Sequence, residues 1–418
     1  MKRMTTALLA ATLPLAPAFA GEKEVVDTYV EIGHATFEDA LIKAQDLRAA
    51  IDALLTDPSE ASLTAARTAW IAARVPYQQS EVFRFGNPIV DDWEGKVNAW
   101  PLDEGLIDYV DGSYGGPTDE NDYAALNVIA TPKFTLSGTE IDATEITPDL
   151  IGETLHEADE VEANVASGYH AIEFMLWGQD LNGTEHGAGN RPYTDYVVGE
   201  GCTNGNCDRR GHYLTAATDL LISDLEYMVG QWAEGGEARD TLLADPAAGL
   251  VAMLTGMGSL SYGELGGERM KLGLMLNDPE EEHDCFSDNT HNSHFYDGIG
   301  MRNVFTGQYV RADGTLIKGE SLADLLTAAD PEAGAALSAA VDHSVAELGQ
   351  IKAAAEAGFS YDQMLARGNA AGEELIMSAV DALVLQTRSI ERAVTVLKTG
   401  EVSVEGSDSL DNPSAVFE

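Results

Sequence analysis

An imidazole and a carboxylate stand three residues apart in the apolar run G-Y-H-A-I-E-F-M-L-W of residues 168–177. On a helix this spacing puts His170 and Glu173 on one face, where both can reach a common atom. An unpaired buried carboxylate costs several kcal/mol or becomes protonated, so Glu173 needs a cation, a hydrogen-bond donor or a metal ion beside it. His170 and Glu173 are therefore candidates for the centre of a buried metal site.

Neither common zinc-protease motif accompanies this pair. No H-E-x-x-H occurs there, and Phe174 stands where H-x-x-E-H would need its second histidine. The helix therefore supplies at most two ligands, which disfavours an enzyme. One histidine combined with several carboxylates is typical of the sites that helical bundles build for iron or manganese. The residues alone leave iron, manganese, zinc and other divalent metals open.

Two acidic residues are the first candidates for further ligands. Glu81 lies among aromatic residues, three positions before Arg84, and its alternative role is an ion pair with that arginine. Asp103 follows Pro101 at a predicted helix start, where capping of free amide groups is the alternative to metal binding.

A polar segment over residues 280–294 contains three of the nine histidines. It offers His283, Asp288 and His291 as further, less favoured ligands. Arg84, which lies outside this segment, is grouped with them as a charged neighbour. Such a segment can hold a cation, gate a cleft, or simply be a solvated loop that caps neighbouring helices. Cys285 within it is expected to be a small packed residue.

The N-terminus indicates export. Lys2 and Arg3 precede an apolar stretch, and A-F-A at residues 18–20 supplies small residues for cleavage, so residues 1–20 are predicted to be a signal peptide. The predicted location is the periplasm, where Cys202 and Cys207 should form a local disulfide. No later apolar run reaches the ~20 residues that span a bilayer, so the mature chain is not expected to cross a membrane.

The charge balance narrows the partners. Seventy Asp and Glu residues against 24 Lys and Arg give a formal net charge of −46. Such a surface repels nucleic acid and anionic membranes, and it is explained first by solubility in a saline medium. Bulk charge is therefore weak support for metal handling.

Helical periodicity dominates the chain and predicts an all-α protein. Long helices are expected over 25–55, 61–85, 153–177, 209–232, 247–276, 331–357 and 371–398. With this length we expect two packed four-helix-bundle-like domains with long connecting loops. The predicted divisions are an N-terminal bundle over 21–200, a C-terminal bundle over 201–400 and a disordered tail over 401–418.

Three segments together resemble the imelysin family, close to its iron-regulated branch. They are G-Y-H-A-I-E at 168–173, V-N-A-W-P-L-D-E-G at 97–105, and E-H-D-C-F-S-D-N-T-H at 282–291. The first matches the family's G-x-H-x-x-E signature. The resemblance implies two helical bundles with a site where they meet. It also implies either a metallopeptidase, as the family was named, or a part in bacterial iron uptake.

The resulting hypothesis is an exported protein that binds iron for uptake, at a site including His170 and Glu173 with Glu81 and Asp103. Its partners would be the metal ion or a small metal chelate, and a membrane transport protein. The rival is a metallopeptidase in which the same ion activates water. A third alternative is a cell-envelope interaction protein in which the polar pair is purely structural.

Overall fold

Helices make up most of the structure, a computed structural model that describes residues 21–118 and 121–417. The all-α prediction is confirmed, with two small hairpins, β1–β2 (Lys133–Leu136 and Thr139–Asp142) and β3–β4 (Gln308–Val310 and Leu316–Lys318). The predicted signal peptide lies outside the described residues. The helices are α1 Glu22–Thr56, α2 Glu60–Ser80, α3 Pro88–Asn98, α4 Glu104–Ile107, α5 Gly168–Trp177, α6 Cys207–Trp232, α7 Glu237–Ala244, α8 Pro246–Ser259, α9 Gly273–Leu276, α10 Thr290–Thr306, α11 Leu322–Ala329, α12 Pro331–Glu356, α13 Tyr361–Leu365, α14 Ala370–Leu397 and α15 Asp408–Asp411.

Two sets of helices pack together. In the first set α1 contacts α2 and α6, and α5 contacts α2, α3 and α6. In the second set α12 contacts α10, α11 and α14, and α14 contacts a π-helix over Leu260–Leu272. Contacts of α2 with α10 and of α1 with α8 join the sets. Helix α6 packs with α1 and α5 of the first set.

The helix predicted over 153–177 is interrupted, and only its last part, α5, is regular α-helix. A short π-turn spans Leu150–Leu155, and left-handed backbone at Glu157, Asp159 and Glu160 ends it. Gly168 then starts α5 with φ of +79°. A Cβ at this position would overlap the backbone of Val97, so the chain can approach α3 only because the residue is glycine.

The tail predicted to be disordered instead packs on the π-helix and includes α15. The backbone N–H of Glu405 donates to Ser259 Oγ at 3.1 Å, and the Ser409 hydroxyl donates to the carbonyl of Gly267 at 3.0 Å. A Cβ at Gly263 or Gly267 would press on residues 405–407. These glycines therefore leave room for the tail, which the sequence pattern did not reveal.

The predicted disulfide between Cys202 and Cys207 is present and joins the first residue of α6 to the preceding loop. Cys285 is buried, as expected for a packed residue.

Among the described residues no single helix is both long and apolar enough to cross a bilayer. One pair, Cys207–Ala244 with Pro246–Leu276, reaches the required length and composition only jointly, across a bend of 94°.

Candidate metal centre

Helix α5 holds the predicted pair in the interior of the first helix set. All ten of its residues are buried, as its apolar sequence requires. Backbone carbonyls at its start are held from two sides, since Tyr213 Oη donates to Ala166 at 2.6 Å and Trp70 Nε1 donates to Tyr169 at 3.0 Å. The backbone that carries His170 is therefore fixed by neighbouring helices.

His170 and Glu173 face each other as the spacing predicted. His170 Nδ1 lies 3.1 Å from Glu173 Oε2, and both side chains are fully buried. One proton between these atoms makes the hydrogen bond, and it gives the imidazole a fixed orientation. His170 Nε2 is buried and has no hydrogen-bond partner among the described residues. A neutral imidazole that is hydrogen-bonded through Nδ1–H has a free lone pair on Nε2. This nitrogen can then coordinate a metal ion.

The segment between the short helix Pro279–Glu281 and α10 brings further polar groups to this pair. Ser287 donates both its backbone N–H, at 2.9 Å, and its hydroxyl, at 2.6 Å, to Glu173 Oε1. Asp284 Oδ1 lies 3.9 Å from His170 Nδ1. Both residues belong to the polar segment singled out from the sequence. This segment, one of the three that carry the family resemblance, therefore contacts α5.

His283 completes a compact group of potential ligands. One atom each from His170, His283 and Asp284 lie within 4.8 Å of one another, and all three residues are buried. The imidazole rings of His170 and His283 are 4.9 Å apart and nearly perpendicular, and Asn98 Nδ2 lies 3.3 Å from His283 Nε2. Metal bonds of about 2.0–2.2 Å place two ligand atoms at most about 4.4 Å apart, so a small closure of these side chains would accommodate an ion.

A buried arginine balances the charge of Asp284. Arg74 donates to Asp284 Oδ1 at 2.8 Å and to Asn98 Oδ1 at 2.6 Å, and its guanidinium lies over the rings of Tyr77 and Tyr169. Burial alone would raise the pKa of Asp284, but Arg74 holds this pKa below its ordinary value. Asp284 is therefore the anionic group of the site.

Burial and Arg74 also set the protonation of the central pair. Burial, followed by the positive charge of Arg74, lowers the pKa of His170 to about 3. Burial, followed by the negative charge of Asp284, raises the pKa of Glu173 well above its ordinary value. The imidazole is therefore neutral near pH 7, as a metal ligand must be.

Glu81 and Arg84 lie in other interactions. Glu81 accepts from Arg269 at 2.8 Å, and Arg269 also pairs with Glu264 and Asp297. Arg84 pairs with Asp91 at 2.8 Å, and Glu81 pairs with Arg269. The ion pair between Glu81 and Arg84, which was the alternative to metal binding, is therefore not the one formed.

The other candidates are also separate from the compact group. Asp103 accepts from Tyr114 Oη at 3.0 Å and from Asn121, and its side chain does not cap α4. His291 Nε2 lies 3.1 Å from Asn292 Nδ2. Asp288 belongs to a different acidic group with Asp180 and Asp362.

Sequence reasoning missed three residues that contact the centre: Arg74, Asn98 and Asp284. Asp284 stood beside a candidate histidine, and an arginine between Trp70 and Tyr77 was a visible sign of a buried charge. Their convergence joins residues 24 to 210 positions apart, which no local pattern encodes.

A cleft of about 470 Å³ reaches His283 from the surface. Asn98, Trp100 and Pro101 form its wall beside the centre, and Trp100 packs edge-on against His170 with ring centroids 5.1 Å apart. Two arginines and six glutamates line the remainder: Arg84, Arg269, Glu94, Glu157, Glu162, Glu264, Glu268 and Glu281. Acidic walls concentrate cations in such a cleft.

The family model named Imelysin matches residues 33–390. The chain belongs to the imelysin family. It is 32% identical over 82 residues to iron-regulated protein A of Synechococcus elongatus, a match covering 20% of this chain and 21% of that relative's length. This imelysin also has the fold of a crystal structure from Parabacteroides distasonis, described as a putative iron-regulated protein A precursor. The two share a TM-score of 0.65 and 17% identity, over 91% of this chain and 97% of the other.

Proposed function

We propose that this protein binds iron at His170, His283 and Asp284, and that it does so for iron uptake after export. The observation that carries the proposal is the buried group of two imidazoles and one carboxylate, in which His170 Nε2 has no hydrogen-bond partner among the described residues. Two histidines and one carboxylate are a donor set well suited to Fe(II). Zinc and manganese share enough of this chemistry to be competitors in any assay.

Glu173 takes a supporting part in this proposal. Because it contacts Nδ1, it orients His170, and as an ionised acceptor it favours the tautomer that leaves Nε2 free to coordinate. Ser287 holds Glu173 in turn. Glu81 and Asp103 are not included, because the hydrogen bonds of each are made with other residues.

The biological context comes from relatives. The Synechococcus relative is named an iron-regulated protein, and the Parabacteroides protein is described as a precursor, which supports export. The periplasm, the signal peptide over residues 1–20 and a membrane transport partner are proposed on the sequence features given above. The cargo would be the free ion or a small chelate, reaching the site through the acidic cleft.

Elemental analysis and anaerobic Fe(II) titration of the purified chain test the proposal. We expect one iron per wild-type chain and little or none in His170→Ala and His283→Ala. His343→Ala, which removes an exposed histidine on α12, should bind like wild type. Far-UV circular dichroism establishes that the variants are folded. Equal iron binding by wild type and both site variants would refute the site.

The same samples test the metallopeptidase alternative. Metal-dependent peptide cleavage that disappears in Glu173→Gln would support a peptidase. His170 and Glu173 are fully buried, so a peptide could reach them only if the surrounding chain moved aside. This burial favours ion binding over peptide hydrolysis.

A further inference from the structure

A group of three carboxylates lies apart from the histidine centre. Asp180 follows α5, Asp288 directly precedes Asn289 and α10, and Asp362 lies on α13. One oxygen from each lies within 4.8 Å of the others. Three distant segments of the chain thus bring like charges together.

These carboxylates lack the partners that buried charges require. Asp362 is 1% exposed and neither of its oxygens has a hydrogen-bond partner among the described residues. Glu282 is fully buried beside it, with the Thr290 hydroxyl as a neighbouring donor and the Asp362 carboxyl group as a like-charged neighbour. No Lys, Arg or His nitrogen of the described chain lies within 4.0 Å of these two or of Asp180 and Asp288. Buried carboxylates without a compensating cation are strongly destabilising.

The electrostatic repulsion is visible in the pKa values. Burial, followed by the charges of Asp362 and Asp180, raises the pKa of Asp288 to about 8. Burial raises the pKa of Asp180 to about 6. Hydrogen bonds from Asn182 to Asp180 Oδ1, at 2.9 and 2.6 Å, and one from the Gly187 backbone to Asp288 stabilise two of the carboxylates, and none of these bonds brings a positive charge.

We propose that Asp180, Asp288 and Asp362 bind a hard divalent cation of the calcium class, with Glu282 beside them. Calcium takes six to eight oxygen ligands at about 2.3–2.6 Å, and carboxylates with water or backbone oxygens supply them. The absence of nitrogen ligands distinguishes this site from the histidine centre. The ion would join the connection after α5 and the segment before α10 to α13.

Calcium titration by calorimetry and thermal unfolding, with EGTA as the metal-free reference, test this site in the purified chain. We expect one Ca²⁺ per chain and a higher Tm with calcium. Asp362→Asn should weaken calcium binding by at least about tenfold, because the loss of a residue that merely supports a metal ligand already has an effect of this size. Its Tm in EGTA should equal or exceed that of wild type, because a buried charge has been removed.

Two controls make the result decisive. Asp180→Asn alters a half-buried ligand, so it should weaken calcium binding even if Asp362→Asn does not fold. Asp342→Asn, on an exposed position of α12, should bind calcium like wild type. The proposal is overturned if millimolar calcium gives no stoichiometric binding, or if Asp180→Asn and a folded Asp362→Asn bind it with wild-type affinity.

Discussion

In the proposed metal site, the contact between His170 and Glu173 gives the two residues different parts. Glu173 occupies Nδ1, which leaves Nε2 as the free nitrogen of the ring. Carboxylates that bond a coordinating histidine in this way orient the ring and raise its basicity. The sequence pattern placed both residues correctly on one face, but it could not distinguish a ligand from a residue that positions one.

Glu173→Gln separates these parts. We expect iron affinity to fall about 10–100-fold, the usual effect of losing a carboxylate that orients a ligand, whereas His170→Ala removes binding. Fe(II) titration of both variants measures the difference, with Glu226→Gln on the exposed face of α6 as the control. A loss in Glu173→Gln as complete as in His170→Ala would make Glu173 a ligand itself.

His156 is neutral for a similar geometric reason. Its Nε2 lies 3.0 Å from the carbonyl of Gly95, and its Nδ1 accepts from the N–H of Ala166 at 3.3 Å. A protonated ring would set N–H against N–H at Ala166. Burial is the largest effect on the pKa of His156 and lowers it, and the nearby Lys96 lowers it further. Glu157 and the Gly95 carbonyl act in the opposite direction, but the pKa stays below its ordinary value.

This lowered pKa predicts a pH-dependent contribution to stability. The unfolded chain takes up the proton near pH 6.5 and the folded chain only at lower pH, so His156 favours folding above pH 6.5 and this contribution declines as the pH falls. Urea unfolding at pH 8 and pH 5 should show a larger loss of stability for wild type than for His156→Gln. His212→Gln, an exposed site, should match wild type. Identical pH dependence in all three would contradict the assignment.

At the scale of elements, α5 depends on how it begins. Gly168 has a left-handed backbone and touches Val97, so any side chain meets both a conformational and a steric penalty. Gly168→Ala should lower the free energy of unfolding by about 2 kcal/mol or more and disturb iron binding. Gly230→Ala, on an open exposed position of α6, should instead stabilise by up to about 1 kcal/mol. Chemical denaturation measures both, and equal effects would refute the argument.

The elements also show what the sequence can reveal. The periodicity of α1 and α2 predicted both helices within a few residues, because each has one continuous apolar face. The residues before Gly168 also have an apolar pattern, yet left-handed backbone at three acidic residues interrupts the helix there. Propensity alone does not report such a break, because tertiary packing can override it.

The candidate site was predictable to the same extent. The spacing of His170 and Glu173 identified the pair, and the family resemblance directed attention to the segment carrying His283. The partner of Glu81 was not predictable, because Arg269 lies 188 positions away. Ion pairs between distant segments depend on packing that only the folded chain displays.

At the scale of the whole molecule, part of the negative charge that gives a net charge of −46 is concentrated at the cleft. Exposed Glu157, Glu162 and Glu268 are among the residues lining the route to His283. Bulk charge alone mainly explains solubility, but clustered charges at a concave opening attract cations and speed their association. Screening acts over about 10 Å at 0.1 M salt, so this attraction should be strongest at low ionic strength.

Neutralising these three glutamates tests the attraction separately from the site. The variant Glu157→Gln, Glu162→Gln, Glu268→Gln should bind metal roughly two- to tenfold more slowly at low salt, with a weaker dependence of the rate on salt. Stopped-flow fluorescence follows the association, because Trp100 borders both the cleft and His170. The matched control changes Glu226, Glu234 and Glu374, which are exposed elsewhere. Equal slowing in both variants would mean that the total charge attracts the cation, whereas slowing confined to the first variant means that the arrangement of charge at the cleft does so.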